Sequence, residues 1–298
     1  RAKKRTLCST DQKRIGMKFS LWRKYGALNS EPVFNAFAAG AASLGWHCVD
    51  NDPTADVDVI WSVLWNGRMS QNKDIWDRAR SQSKPVVVLE VGGIKRGTTW
   101  KVGLNGINRD AFFGDAGNDS RRSDLLGLRL KPWRTDSEFI LIAGQHEKSE
   151  QWRNQPRMSR WVMDTIENIQ AHTDRPILFR PHPRCRLEAI ETQYKNVYRQ
   201  EPTQIPGTYD DFDMNFENIY CTVSWTSNPG IHSVIEGIPA YTSHSSLAWD
   251  VSIKSLTNIN NPPLPDRTQW LNDYAWTEYT VDEISQGIPH KRLTSKLF

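Results

Sequence analysis

Arg180, His182 and Arg184 alternate with Pro181 and Pro183 in the stretch FRPHPRC, residues 179–185, directly after the apolar run Pro176-Ile177-Leu178. Each guanidinium is a planar fork that can grip a phosphate, and the flanking prolines restrict the backbone of His182. Taken alone, the stretch reads equally well as a stiff basic surface turn. A second candidate is TSNPGIHSVIEGIPAY, residues 226–241. Here Ser227 and Asn228 stand as caps, Pro229 fits the first helical position, and Gly230 lets a ligand approach the backbone N–H groups. A helix start that follows a strand binds anions through unpaired donors and the helix dipole, although the same pattern also makes an ordinary capped helix. Gln145 and His146, closing the strand EFILIAG, would supply a third edge. Anion-compatible features at consecutive strand ends point to one phosphorylated nucleotide.

Glu90 is the candidate base. It ends the apolar run PVVVLEV and precedes Gly92-Gly93, Lys95 and Arg96. A carboxylate at the end of a buried strand is desolvated enough to accept a proton from a hydroxyl, though this one could simply pair with Lys95 or Arg96. Two D-x-D pairs occur, Asp56/Asp58 within a strand and Asp211/Asp213 in a loop, and neither is expected to hold a metal. The four cysteines, Cys8, Cys48, Cys185 and Cys221, are scattered without a CxxC pair, which argues against a disulfide framework or a zinc site.

The elements that must position these groups follow one grammar. From Met17 the chain reads as the strand KFSLW, a polar loop, and a helix from about Pro32 with Val33, Phe34, Phe37, Ala41 and Leu44 on one face, capped by Ser30 or Asn29. The strands WHCVD and VDVIWSVL follow, then a helix carrying Ile75, Trp76 and Ala79, then PVVVLEV. Residues from 92 to about 127 are glycine-rich and read as a long irregular, functional loop. LKPWR, residues 130–134, reads as a linker, after which the grammar repeats: strand EFILIAG, helix MSRWVMDTIENIQAH, strand PILFR, strand IYCTVSW, helix PGIHSVIEG and strand PAYTS. NPPLP is a stiff spacer before two short terminal helices separated by a break. Near-continuous apolar strands alternating with helices imply α/β architecture with parallel sheets covered on both faces, and ligands in such sheets gather at the carboxyl ends of strands.

The 298 residues suit two compact lobes. No stretch approaches the length of a membrane span and no apolar h-region follows the first cations, so a cytoplasmic protein with no membrane partner is expected. The net charge is +4, with six cations among the first 14 residues, so a polyanionic partner is permitted and not demanded. Thirteen tryptophans leave some surplus for stacking on flat rings or sugars.

The pair RPHPR and SWTSNPGIHSVIEGIP resembles the donor-binding half of GT-B glycosyltransferases, particularly the branch with an HP motif followed by a serine-containing helix start; bacterial Kdo transferases of capsule assembly and certain sialyltransferases are similar. The resemblance runs from Met17 to about Gly287. It implies a GT-B-like fold of two Rossmann-type doubly wound parallel-sheet lobes with an interdomain cleft: a basic arm over 1–16, an acceptor lobe over 17–130, a nucleotide-sugar lobe over 131–260, and helices over 261–298 packing back across the lobes. It implies that His182, Ser224 and Ser227 contact the donor phosphates; Gln145, His146, Arg180, Arg184, Asn228 and Gly230 join the donor set on their residue types and positions. LEVGGIKRG is similar to the acid-plus-glycine motif of that branch. Glu90 and Gly92 match, Val91 replaces a second acid and Arg96 lies close to the basic position, which makes Glu90 the implied general base. His232 stands where many GT-B enzymes place a ribose-binding Glu, and Glu236 could substitute. The donor is expected to be a UDP-sugar, with a CMP-sugar as the alternative; no cofactor or metal is implied, and an isolated base implies inversion.

For the acceptor, LWNGRMSQNK and IKRGTTWKVGLNGINR mix cations with tryptophan, the composition that grips a phosphate backbone and stacks a ring, so Trp65, Arg68, Lys95, Arg96 and Trp100 are the candidates. Phage transferases that decorate hydroxymethylated DNA bases are similar in class and size. They favour double-stranded DNA carrying a hydroxymethylated pyrimidine such as 5-hydroxymethylcytosine, modified in the host cytoplasm. The alternatives are a capsule or lipopolysaccharide transferase acting on a saccharide, and a non-catalytic nucleotide or nucleic-acid binding module.

Overall fold

The computed structural model describes residues 16–208 and 211–297, so the basic arm and Cys8 lie outside it. Packing divides the chain into two units: residues up to Ala116 together with those from Trp276 onward, and Gly117–Ala275. The sequence placed the divisions at 130 and 260. Residues 117–130 and 261–275 instead pack with the second unit, and the terminal stretch is split between the two.

The first unit is built on a six-stranded sheet. Strands β1 (Lys18–Leu21), β2 (His47–Asp50), β3 (Val57–Trp61) and β4 (Val86–Val91) are parallel in the order β2-β1-β3-β4. Side chains alternate across it as the two-residue period of a strand requires. Val57, Val59, Trp61, Val87 and Leu89 pack with helix α1 (Glu31–Ser43), while Ile60, Val86 and Val88 pack with helix α2 (Asn72–Ser81). Helix α1 buries Val33, Phe34, Phe37 and Ala41, as its spacing predicts. Ser30 takes the N-cap position without capping; its hydroxyl donates to the Ala27 carbonyl.

The glycine-rich stretch departs from expectation. Residues Trp100–Leu104 form β5, antiparallel to β4, and Glu278–Tyr279 form β11, antiparallel to β5, so this sheet is mixed and not wholly parallel. A lysine and a glycine inside WKVGL hide its strand character, and a two-residue strand is too short to show a period. Past β11, helix α7 (Val281–Ser285) starts in a capping box formed by Thr280 and Glu283, and helix α8 (Ile288–Leu297) packs Leu293 and Leu297 on the α1 side of the sheet. The second unit holds helices α3 (Arg121–Leu125), α4 (Met158–Gln170), α5 (Asn228–Ile235) and α6 (Thr268–Tyr274).

The second unit carries a five-stranded, fully parallel sheet of β6 (Phe139–Ala143), β7 (Ile177–Arg180), β8 (Val197–Arg199), β9 (Ile219–Ser224) and β10 (Ala240–Tyr241), in the order β10-β9-β6-β7-β8. Helix α4 covers one face, burying Met158, Val162, Ile166 and Ile169 against Ile140, Ile142, Ile177, Phe179 and Val223. Helix α5 returns from β9 along the other face, where Thr222 and Ser233 hydrogen bond at 2.7 Å. The LKPWR segment is extended and tied down, with Lys131 and Arg134 N–H donating to the carbonyls of Ile235 and Gly237 at the end of α5. Among the described residues, no helix is long and apolar enough to cross a membrane.

Candidate functional site

The strand order of the second unit reverses between β6 and β9, and the chain leaves both strands at their carboxyl ends, where a crevice forms in an open parallel sheet. Gln145 bridges the two departures. Its side-chain oxygen accepts from Thr226 N (3.1 Å) and Thr226 Oγ1 (2.8 Å), and its amide nitrogen donates to Gln151 Oε1 (3.0 Å). Gln145 therefore shapes the crevice, its oxygen already committed to protein donors.

Two histidines stand on neighbouring strand ends. His146 Nδ1 accepts the Lys148 N–H at 3.1 Å, and His182 Nδ1 accepts the Arg184 N–H at 3.1 Å. The rings meet edge to face with centroids 5.4 Å apart. When neutral, each ring with Nδ1 so occupied carries its proton on Nε2, which makes Nε2 a donor. Burial, reinforced by Lys148 and Arg184 against the opposing Glu147, holds the His146 imidazole below its usual range.

Helix α5 begins past the end of β9, the neighbour of β6 on the side away from β7. Ser227 occupies its N-cap in extended geometry (φ −69°, ψ 150°), yet its hydroxyl makes no cap bond and is buried without a partner. The Ser224 hydroxyl, on the last residue of β9 and 3% exposed, is likewise buried without a partner. It points beneath the helix start: a Cβ on Gly230 would lie 2.1 Å from Ser224 Oγ. Buried hydroxyls usually find partners, so these two, at a helix N-terminus, are candidate donors to an acceptor from outside the chain. Asn228, the first residue of α5, stands half-buried at the same start.

Other expected donor contacts go elsewhere. Arg180 is 6% exposed and its Nη2 donates to the backbone carbonyl of Asp213 and, at 3.0 Å, to its carboxylate, which also accepts Thr203 N–H at 2.8 Å. That guanidinium clamps the loop before β9 and is not a free phosphate fork. Against the opposing pull of burial, the Thr203 N–H and Arg180 hold the Asp213 carboxyl below the usual carboxylate range. Arg184 is exposed on the turn. His232 and Glu236 lie one and two turns into α5, about 6 and 12 Å along its axis from Asn228. They line a cavity of about 620 Å³ with Lys131, Arg134, Phe216 and Glu217, beside the chain entering β6 and β9. Glu236 is ion-paired there with Lys131. The sequence grouped them with Ser224 and Ser227, but the direction of the helix carries them away.

In the first unit, Glu90 is half-buried near the end of β4. Its carboxylate accepts Ser62 Oγ–H at 2.5 Å and Val91 N–H at 2.8 Å. Ser62 adopts a left-handed backbone (φ 64°), which is unfavourable for serine and is held here by its N–H bond to the Leu89 carbonyl. Burial pushes the Glu90 carboxyl up; the bonds from Ser62 and Val91 and the charges of Lys101 and Arg96 oppose the rise. Lys101 lies directly opposite Glu90 on β5, and Glu278 directly opposite Lys101 on β11. Glu278 is fully buried and accepts Gly93 N–H (2.7 Å), Ile94 N–H (2.9 Å) and Thr99 Oγ1–H (2.7 Å). Gly92 is required for this arrangement, because a Cβ there would lie 2.3 Å from the Thr99 carbonyl oxygen and 2.4 Å from Glu278 Oε2. Sequence reading missed Lys101 and Glu278; the lysine inside an apolar strand was the one available signal.

The acceptor candidates separate. Lys95 and Arg68 are exposed and Arg96 is half-buried. Trp65 packs on Trp76 and the α2-side core, and Trp100 packs with the α1-side core, on the face of β5 opposite Lys101. Of the 13 tryptophans, five are buried and eight half-buried, and none is fully exposed. Asp58 is buried against Lys84 (3.0 Å), Arg78 (3.5 Å) and the Trp22 indole (2.7 Å), and Asp56 accepts the Lys18 N–H, so that D-x-D pair serves the sheet.

No known family pattern and no curated protein matches the chain. Among solved structures it is similar to the β-Kdo 2,7-transferase of Thermosulfurimonas dismutans KpsC, at 11% identity over 92% of this chain and 99% of that one, with a TM-score of 0.46. The β-Kdo 2,4-transferase of the same protein gives 11% identity, 88% and 90% coverage, and a TM-score of 0.46. The fold class rests on the strands themselves. This is an α/β chain with two Rossmann-like sheets.

Proposed function

We propose that the chain is a glycosyltransferase that moves a sugar from a nucleotide-sugar to a hydroxyl of a saccharide. The observation that carries this reading is the pair of unpartnered hydroxyls, Ser224 and Ser227, at the start of α5, past the end of a strand that neighbours those leading to His146 and His182. The departing diphosphate gains negative charge as the glycosidic bond breaks, and fixed donors aimed at that charge stabilise the transition state more than the ground state. Ser224, Ser227, His182, His146 and the helix dipole supply those donors. One carboxylate of each D-x-D pair is engaged by cations, Asp58 by Lys84 and Arg78 and Asp213 by Arg180, so charge compensation through protein donors, without a metal, is the working mechanism.

Glu90 is proposed as the general base that takes the proton of the acceptor hydroxyl, with direct displacement and inversion at the anomeric carbon. Its half-burial and bonded oxygens suit a carboxylate that must be ionised yet basic. A saccharide is preferred over a flipped DNA base because Trp65 and Trp100, the rings expected to stack on a base, are half-buried and pack against the two cores of their unit.

The test is incubation of the full chain with labelled UDP-, CMP- and GDP-sugars and, in parallel, oligosaccharide acceptors and duplexes with or without 5-hydroxymethylcytosine. Transfer to saccharide with one donor is expected. Transfer to the modified duplex alone would restore the DNA reading, and a retained anomer by NMR would remove the role given to Glu90.

A further inference from the structure

We propose that Lys101, standing between Glu90 and Glu278 on three adjacent strands, is the positioning charge that keeps Glu90 ionised in its half-buried setting. The proposal deepens the reading of Glu90 as the base and rests on it for its catalytic meaning. Glu90 pairs with Lys101 across β4 and β5, and Lys101 pairs with Glu278 across β5 and β11, so all three side chains share one face of the sheet. Residues directly opposite in antiparallel strands have Cβ atoms about 5 Å apart.

Two of the three charges are out of water: Lys101 is 5% exposed and Glu278 is fully buried. A buried ammonium persists only beside compensating negative charge. Glu278 gives that charge and cannot swing away, because Gly93, Ile94 and Thr99 hold both of its oxygens. The register of β11 thus fixes Lys101 where it also faces Glu90. Burial pushes the Glu90 carboxyl up, opposed by the Ser62 hydroxyl, the Val91 N–H, Lys101 from β5 and Arg96 from the intervening loop; burial likewise pushes the Lys101 ammonium down, opposed by Glu278 and Glu90 and aided by Arg96. Lys101 is the larger of the two cationic influences on Glu90, and unlike Arg96 it sits on a strand.

The test is a titration of the Glu90 carboxyl by carbon-13 NMR in the full chain, assigned with Glu90→Gln. Lys101→Met is expected to raise the Glu90 midpoint by about one pH unit and to move the acid limb of kcat/KM by the same amount, while Lys101→Arg holds both near the parent values. Because Lys101→Met could fail to fold, the reciprocal measurement is made at unaltered Lys101: in Glu90→Gln the titration of its ammonium, read by nitrogen-15, is expected to move to lower pH. An unmoved Glu90 midpoint in folded Lys101→Met, or an unmoved Lys101 midpoint in Glu90→Gln, overturns the proposal. If Glu90→Gln retains full transfer, the general-base reading fails, and the two titrations still decide the coupling on their own.

Discussion

His146 and His182, on the ends of adjacent parallel strands, are held by the same device: each Nδ1 accepts the N–H of the residue two places on, at 3.1 Å in both cases. The rings lie 5.4 Å apart, edge to face. When neutral, each ring therefore carries its proton on Nε2. Replacing His182 by Ala should lower kcat about a hundredfold, the typical effect of removing one preorganised donor from a developing anion, with little change in thermal stability. Steady-state kinetics with the best nucleotide-sugar checks this, and an unchanged kcat would exclude His182 from the diphosphate site.

Gly230 and Ser224 form a second, geometric test. Gly230→Ala puts a methyl 2.1 Å from Ser224 Oγ and should destabilise the second unit by roughly 1–3 kcal/mol, the usual effect of overpacking. Adding Ser224→Ala removes the clashing oxygen and should recover most of that loss. Neither variant should regain the melting-temperature increase that the donor gives the parent. Recovered stability together with recovered donor response would show that the Ser224 hydroxyl is no part of the site.

Glu90→Gln keeps the shape of the side chain while removing its basicity. Transfer should fall about 10²- to 10⁴-fold, whereas donor binding, measured by thermal shift, should be retained. Because burial raises the Glu90 carboxyl, the parent should lose activity on acidification at a pH above the ordinary carboxylate range, as the base becomes protonated. A flat profile down to pH 4 would contradict the assignment.

His290 offers a stability prediction away from the site. It is 1% exposed, packs on Phe37 with centroids 4.2 Å apart, and hydrogen bonds the Phe37 carbonyl at 2.9 Å. Burial pulls its imidazole down to about 4. The unfolded chain therefore takes up a proton near pH 6.5 that the folded chain refuses until about pH 4. The stabilisation is complete above pH 6.5 and is lost as the pH falls toward 4, by about 3 kcal/mol in all. Urea midpoints between pH 7 and 4.5 should show this slope, and His290→Phe should flatten it.

Short-range pattern made much of the fold readable. Apolar runs such as PVVVLEV and EFILIAG can only be buried strands, and the spacing of Val33, Phe34, Phe37 and Ala41 can only cover one face of a helix, because both signals depend on residues a few places apart. The same locality exposed His182, Ser227 and Glu90 as candidates, since each follows or closes a strand, while Ser224 came only from the resemblance to the HP-motif branch. Where the pattern was broken, reading stopped: β5 is masked by Lys101 and Gly103, and β11 is two residues long.

The sequence by itself determined which residues end strands and which helix start follows β9, because backbone geometry and apolar period are local properties. Only the tertiary structure decided their company. It gave Arg180 to Asp213 and carried His232 and Glu236 to the far half of α5, because a helix advances with every residue. It also brought Glu278 through β11 to Lys101 and the Gly92–Gly93 turn, an encounter of distant segments made by strand register, which no neighbouring residue announces.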